Sequence, residues 1–446
     1  MRKSISGWGR HPVVEGFELQ QEDYAATLAE ASLSRGLGRS YGDSSLPADA
    51  EDQVASSVLA NRVLQFEPDT GYFRAEAGFS LRELNHLFLR RKWFSPVTPG
   101  TQFVTLGGMV AADVHGKNHH VAGTFGNHID SIRLQLASGE RLKITPEETD
   151  PELQELFWAT VGGMGLTGHL LEVSCYLQKI PTSWIWQESE RIPNLETFIE
   201  KLAEGADKWP YTVGWIDCLS QGKNLGRGIL MKGRWASLEE APKLPPAEKP
   251  RYVFPFNLPG FALNRFSIRA FNFVYYWKQM PKFQQGVVDP MTFFYPLDAV
   301  ESWNRLYGKR GFLQHQCVLP KERAAEGMRR LLELLAKEGN PSFLAVIKDC
   351  GEEGRGILSF PKPGLSLALD LPFIEKKSQS LIDKMNDIVL EYGGRIYLAK
   401  DALTRCEDFQ QMEPRLARFQ AIRQKWDPEG KLRSAQSERL LKPCQS

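Results

Sequence analysis

TVGGMGLTG, residues 160–168, contains Gly163-Met-Gly165-Leu-Thr-Gly168, a letter-for-letter match to the G-x-G-x-x-G fingerprint of a dinucleotide-binding βαβ unit. That fingerprint works only after a strand and at the opening of a helix, where the helix N-terminus meets the pyrophosphate. Here the order is reversed. PELQELFWATVGG (151–163) reads as a helix, with Pro151 in its first turn and glycine at its end. HLLEVSCYLQKI (169–180) reads as a strand. A doubly wound NAD-type fold is therefore excluded, and these glycines are expected to end a helix and let backbone pack closely on a ligand or a sheet.

Working outward, the first third is built of short β-like runs and glycine turns. VLQFEPDTGYFRAEAGFS (63–80) reads as strand, turn and strand, with Asp69–Gly71 in the turn. LRELNHLFLRR (81–91) has the periodicity of an amphipathic helix, and SIRLQLASGERLKI (131–144) reads as a hairpin turning at Ser138–Gly139. The style changes near Ile180–Pro181. Residues 236–262 are Pro-rich and read as a long mobile loop, which runs into the aromatic stretch FALNRFSIRAFNFVYYW (261–277). GFLQHQCVLP (311–320), PSFLAVIKDCG (341–351) and GLSLALDLPF (364–373) read as strands, KERAAEGMRRLLELLAKEG (321–339) and KKSQSLIDKMNDIVLEYGG (376–394) as helices. The tail FQQMEPRLARFQAIRQKWDPEGKL (409–432) reads as helical up to Asp427–Pro428. Strands with antiparallel neighbours beside helices give an α+β class.

The totals set outer bounds. A chain of 446 residues exceeds what one core usually serves. Its 42% apolar and 24% charged residues are those of a globular protein, and a net charge of +1 argues against nucleic-acid binding by bulk charge. Six cysteines without a C-x-x-C pair fit neither a zinc ribbon nor a compact disulfide framework, and reduced cytosolic thiols are the simplest expectation. The start, MRKSISGWGRHP, lacks the apolar run of a signal peptide, and no apolar stretch is long enough to span a membrane.

Two glycine clusters carry the candidate chemistry. In TPGTQFVTLGGMVAADVHG (98–116), Gly107–Gly108 precede a small-residue helical turn whose amides could hold phosphate oxygens. In SRGLGRSYGDSSL (34–46), Gly36, Gly38 and Gly42 with Arg39 and Ser40 make another plausible anion cradle, or else a tight turn between strands. The run HGKNHH (115–120) puts His115 and His119 at the spacing of a helical metal pair. Gly116 and Asn118 disfavour that helix, and a carboxylate at fixed spacing is missing, so no metal is expected.

Taken together, GLGRSYGDSS (36–45), TPGTQFVTLGGMVAADVHGKNHHVAGTFGNHI (98–129), TVGGMGLTG (160–168), QHQCVLP (314–320), LSFPKPG (358–364) and GGRIYLAKD (393–401) resemble the FAD-binding oxidoreductases of the vanillyl-alcohol-oxidase type. Within these, the closest likeness is to the branch that oxidises polyprenyl-phosphate-linked pentofuranoses. The resemblance implies a PCMH-type FAD domain split in sequence (residues 1–180, returning at 395–446), with an inserted α+β substrate domain on an antiparallel sheet (181–394). It implies FAD contacts at Arg35, Gly36, Leu37, Gly38, Arg39, Ser40, Tyr41, Gly42, Asp43 and Ser44. Further contacts are implied at Gly100, Thr105, Leu106, Gly107, Gly108, Ala112, Asp113, Val114, His115 and Tyr397. His119 and His120 are expected to be structural. Many relatives attach FAD through a histidine in the first of these loops; Asp43 stands there, so dissociable FAD is expected.

The implied reaction moves hydride from a secondary alcohol to the flavin, and the hydroxyl proton needs an acceptor. Lys400, Tyr41 and His115 are the candidates. Lys400 acts as a base only if its pKa is depressed; an electrostatic role is slightly favoured. Gln314, Gln316, Lys348, Ser366 and Lys400 are implied substrate contacts, with Lys348 suited to a phosphate. Ala368 replaces a cysteine present in some members, and Ser366 an asparagine. The implied function is oxidation of the 2-hydroxyl of the lipid-linked pentose, half of an epimerisation in cell-wall precursor synthesis. A separate NAD(P)H-dependent short-chain reductase would complete it, with a quinone or oxygen as electron acceptor. The location implied is cytoplasmic or peripheral to the inner membrane. The alternatives are an oxidase of free alditols or sugar-1,4-lactones, and a flavin-binding subunit without turnover.

Overall fold

The computed structural model describes residues 2–338 and 343–444. Three sheets organise them. Arg2–Ser6, Val13–Leu19, Gln53–Ser56 and Leu33–Arg35 form a four-stranded sheet in that spatial order. Val63–Phe66, Tyr72–Glu76, His169–Tyr176, Ile129–Gln135 and Arg141–Ile144 form a five-stranded antiparallel sheet. The third has eight strands in the order Phe283–Val288, Ile185–Ile192, Gly228–Trp235, Tyr211–Ile216, Ala345–Cys350, Gly364–Pro372, Phe312–Pro320 and Arg395–Ile396.

Local chemistry explains the boundaries. Leu81–Phe88 starts at a capping box in which Ser80 and Glu83 bond each other's backbone, and it buries Leu81, Leu84 and Phe88. Pro151–Thr160 is capped by Asp150 with Pro151 at its first position, and it precedes the strand His169–Tyr176, the order that excludes the βαβ fingerprint. Between them a Cβ on Gly163 would lie 2.0 Å from the Ala159 carbonyl oxygen, so the glycines let the chain turn tightly back onto its own helix. The expected helices of the second half run Lys321–Glu338 and Glu375–Glu391. The strand read from PSFLAVIKDCG is Ala345–Cys350; Pro341 and Ser342 lie outside the described residues.

Two expectations need correction, and the aromatic stretch takes a form that the sequence left open. The tail is not one helix: it splits into Cys406–Met412 and Leu416–Trp426 at Pro414, which has no amide to continue the ladder. The aromatic stretch divides at Asn264, which caps a helix over Arg265–Lys278. The cysteines are not all reduced. Cys406 and Cys444 form a disulfide across 38 residues, brought together by the helix Ala435–Leu440, while Cys175, Cys218, Cys317 and Cys350 are buried and free. Local spacing cannot reveal so distant a pair. Disulfides persist in oxidising compartments, which weighs against the cytoplasmic expectation.

The C-terminal segment ties the halves together. Arg395–Ile396 closes the edge of the eight-stranded sheet beside Val318 and Cys317. The chain then passes under the 36–46 loop, where the Tyr41 amide donates to the Ala399 carbonyl at 2.9 Å. Ala435–Leu440 follows and carries Arg439. No helix among the described residues is long and apolar enough to cross a membrane.

Candidate active site

Strand register builds the site. In the antiparallel pair Phe312–Pro320 and Gly364–Pro372, Gln314 faces Asp370, Gln316 faces Ala368 and Val318 faces Ser366. On the other side Val346 faces Ala368 and Lys348 faces Ser366. Directly opposed residues share a face, and the face alternates along each strand. Gln314, Gln316, Lys348, Ser366, Ala368 and Asp370 therefore stand on one face of the sheet.

His115 meets that face from the FAD side. The Gln316 amide donates to His115 Nε2 at 3.0 Å and lies 3.3 Å from Ser366 Oγ. Burial holds His115 well below the ordinary histidine range, with the charge of Lys348 adding to it, so the ring is neutral. With Nε2 accepting, the ring proton sits on Nδ1, which is buried without a partner. Tyr397 and Phe360 pack on the same ring at 5.1 and 5.3 Å between centroids, and the Tyr397 hydroxyl donates to the Ala112 carbonyl at 2.9 Å.

Lys400 Nζ lies 3.9 Å from the Tyr41 ring centroid. Burial lowers its pKa and Lys348 lowers it further, while Asp370 opposes them. Asp370 is fully buried; one oxygen accepts from the Gln314 amide and the other has no partner. Burial raises its pKa, with Gln314 and Lys400 acting against that rise. Each group thus favours the charged form of the other. Tyr41 and His115 are weaker candidates as bases. Burial lifts the Tyr41 phenol well above its ordinary value, so it stays protonated, and His115 binds protons too weakly.

The cofactor loops fit FAD, though not by the donors the glycine spacing suggests. The amides of Leu106 and Gly107 donate to the carbonyls of Phe79 and Ala77 at 2.9 and 2.8 Å, and that of Gly108 to Thr105 Oγ1 at 3.2 Å. The short helix Leu106–Ala111 therefore has no free amides in its first turn to give a phosphate. The consecutive amides of Gly36, Leu37, Gly38, Arg39 and Ser40, by contrast, donate to nothing among the described residues. Nearby Ser44 Oγ and Arg39 Nε are also buried and unpartnered. Such a run of open donors suits the diphosphate of the cofactor, because consecutive backbone amides form an anion-binding concavity. The two bends touch: a Cβ on Gly36 would lie 2.4 Å from Thr105 Oγ1. Nothing lies within 4 Å of the Cβ position of Gly100, which leaves that side of the loop open.

Other implied contacts are held by the protein itself. Arg35 bonds the carbonyls of Ser45 and Ser6, Asp113 accepts from Ser359 Oγ at 2.5 Å and Gly126 N at 2.9 Å, and both oxygens of Asp43 take Arg439. These bonds fix their side chains in place. Val114 is buried in the core, its amide on the Met109 carbonyl. The histidine run is likewise internal: His119 Nδ1 accepts from Gly351 N at 3.0 Å and His120 Nε2 bonds the Trp209 carbonyl at 2.8 Å.

Sequence reasoning missed three residues. Asp370 extends the i, i+2 face of Ser366 and Ala368, so the period-two rule that joined Gln314 to Gln316 also reaches it. Lys117, inside the histidine run, is buried with Nζ on the Phe294 carbonyl at 2.8 Å, and burial brings its pKa down to about 7. Arg439 lies in the tail, where no local pattern marks it.

The family described as FAD binding domain matches residues 21–145, and that of D-arabinono-1,4-lactone oxidase matches residues 313–440. The chain is 34% identical over 455 residues to decaprenylphosphoryl-beta-D-ribose oxidase of Mycolicibacterium smegmatis, covering 98% of this chain and 97% of that protein. It is 30% identical over 373 residues to an uncharacterized protein of Streptomyces coelicolor, covering 81% and 99% of the two chains. It is 21% identical over 423 residues to L-gulono-1,4-lactone dehydrogenase of Mycobacterium tuberculosis, covering 94% and 92%. With a site that offers open amides to FAD and a polar sheet face beside His115, the chain belongs to the family of FAD-dependent oxidoreductases that contains decaprenylphosphoryl-beta-D-ribose oxidase.

Proposed function

We propose that the protein oxidises the 2-hydroxyl of a polyprenyl-phosphate-linked pentofuranose to a ketone. The observation that carries this reading is the shared sheet face, where Gln314, Gln316, Lys348, Ser366 and Asp370 converge beside His115 and Lys400. FAD, when bound, supplies the acceptor for the hydride that leaves the carbinol carbon. The Gln316 amide, braced between His115 and Ser366, orients the sugar. Lys348 has no carboxylate ion pair among the described residues and meets the phosphate as a point charge. Lys400 Nζ takes the hydroxyl proton, which its lowered pKa permits, and the charge of Asp370 favours the protonated lysine. Incubation with a polyprenyl-phosphoryl pentose and mass spectrometry of a product lighter by H2 tests the reaction. Inversion at that carbon then requires a separate NAD(P)H-dependent short-chain reductase, and turnover requires a quinone or oxygen.

The Asp370→Asn variant probes the proton path. A base must be deprotonated to act, so the rate rises with pH through the lowered pKa of Lys400. Asp370 holds the Lys400 proton in place; without its charge that pKa falls further. The acid limb of the reduction rate is expected to move to lower pH, and a limb that stays put contradicts the influence of Asp370 on Lys400.

FAD is held without a covalent bond in this reading, because Asp43 stands where some relatives carry the attaching histidine. Acid precipitation is expected to leave the yellow colour in the supernatant; colour in the pellet contradicts it.

A second reading, oxidation of a free sugar lactone, is favoured by the lactone-oxidase match over 313–440. Lys348→Met separates them. It is expected to raise KM for the phosphorylated lipid roughly tenfold to a hundredfold, the loss of one charge-assisted contact of about 1.5–3 kcal/mol. It should leave KM for any lactone unchanged.

A further inference from the structure

The helix Arg265–Lys278 is apolar on the side that faces away from the protein. Its inner stripe, Ile268, Asn272 and Tyr276, is buried, and the Asn272 amide donates to Asp217 Oδ1 at 2.7 Å. The opposite stripe carries Phe266, Ala270, Phe273, Val274 and Trp277, spaced to share one helical face. Phe266 is 82%, Phe273 56% and Val274 65% exposed, and Phe261 and Met280 extend the apolar surface beyond the two ends at 79% and 78%. A surface helix of an ordinary globular domain presents polar residues there.

The charged residues of this stretch of chain have one sign, although Lys249, Arg251 and Lys282 pair with Asp289, Glu301 and Glu190 from outside it. Between Glu248 and Asp289 the chain has Lys249, Arg251, Arg265, Arg269, Lys278 and Lys282, and no Asp or Glu, in a protein whose net charge is +1. By helical phase Arg269 and Lys278 flank the exposed apolar stripe on either side. The helix also sits on the substrate side of the large sheet. Tyr275 packs on Trp215 with ring centroids 4.6 Å apart, and Trp215 faces Val346, on the face that carries Lys348.

We infer that this helix is a docking surface for an anionic lipid bilayer, its aromatic stripe entering the interface and its flanking cations meeting lipid phosphates. Phe and Trp on one face of a helix with Lys and Arg beside them is the pattern of an interfacial helix, and the flanking Arg269 and Lys278, which pair with no carboxylate among the described residues, favour anionic lipid over a protein partner. The inference deepens the proposed function: a polyprenyl tail resides in the bilayer, and the docked helix holds the Lys348 face of the sheet toward it.

Sedimentation of the full-length FAD-loaded protein with vesicles tests this, using phosphatidylcholine alone or mixed with phosphatidylglycerol. The wild type is expected to sediment with the mixed vesicles and be released by salt. Phe266→Gln/Phe273→Gln and Arg269→Gln/Lys278→Gln are each expected to weaken partitioning by about tenfold or more. All four positions are exposed, and an unchanged visible flavin spectrum verifies the fold. Wild type that stays in the supernatant with mixed vesicles overturns the inference, as do variants that sediment equally. A wild-type dimer dissociated by Phe266→Gln/Phe273→Gln overturns it too, in favour of a second copy on this face. Flavin reduction by a short-chain, water-soluble polyprenyl-phosphoryl pentose is expected to survive in both variants. Its failure in the wild type tells against the substrate reading, while the vesicle result still decides docking.

Discussion

Replacing Lys400 by methionine is expected to slow anaerobic flavin reduction by the sugar substrate by about 10²–10⁴-fold, the usual contribution of a positioned proton acceptor. The side chain lies over the Tyr41 ring, and the methionine keeps most of that contact. FAD content and thermal stability should therefore change little. The pH dependence of what activity remains should flatten, because the group whose deprotonation limits the acid side is gone. Small primary amines in the buffer should restore part of the rate. A variant that reduces its flavin within a few-fold of the wild type would mean that the proton leaves by another route.

Arg439→Met is the second large effect. The guanidinium grips Asp43 through two bonds of 2.9 and 2.8 Å, bonds Asp401 at 2.7 Å and donates to the Thr404 carbonyl at 2.6 Å. Both carboxylates are buried. Removing the one cation they share leaves two buried carboxylates without a counter-charge, although Asp401 keeps the amides of Leu403 and Thr404, a loss of about 3–5 kcal/mol for a broken buried pair. Asp43 follows the open amides of the 36–40 run, and Asp401 follows Lys400. The variant is therefore expected to lose FAD as well as melt at lower temperature. Arg439→Lys keeps a charge but not the two-pronged geometry, so it should fall between. Equal melting temperature and full flavin content in Arg439→Met would remove the clamp from the account.

Much of this architecture is visible in sequence because it is local. The reversed order around Gly163–Gly168, the turns at Gly71 and Gly139, and the alternation of Gln314 and Gln316 each follow from a few neighbouring residues. What was hidden depends on distance. The Gly107–Gly108 pair has the letters of an anion site, yet the carbonyls of Ala77 and Phe79, some 30 residues earlier in the chain, take two of the amides it would offer. The donors left open lie instead in the plainer-looking 36–40 loop. Asp370 was within reach of the period-two rule, but its meaning comes from Lys400, which arrives from a separate segment. The Arg439 clamp and the Cys406–Cys444 bond belong to the tail, whose partners only the folded chain brings near.

The central claim is that one sheet face delivers the 2-hydroxyl of a lipid-linked pentose to bound FAD. Anaerobic mixing of the purified yellow protein with a polyprenyl-phosphoryl pentofuranose, beside its 2-deoxy analogue, reads this directly in the visible spectrum. The account predicts that the hydroxylated compound bleaches the flavin and the deoxy compound does not. A flavin that keeps its colour with the lipid-linked sugar, or that a free sugar lactone bleaches in its place, would contradict it.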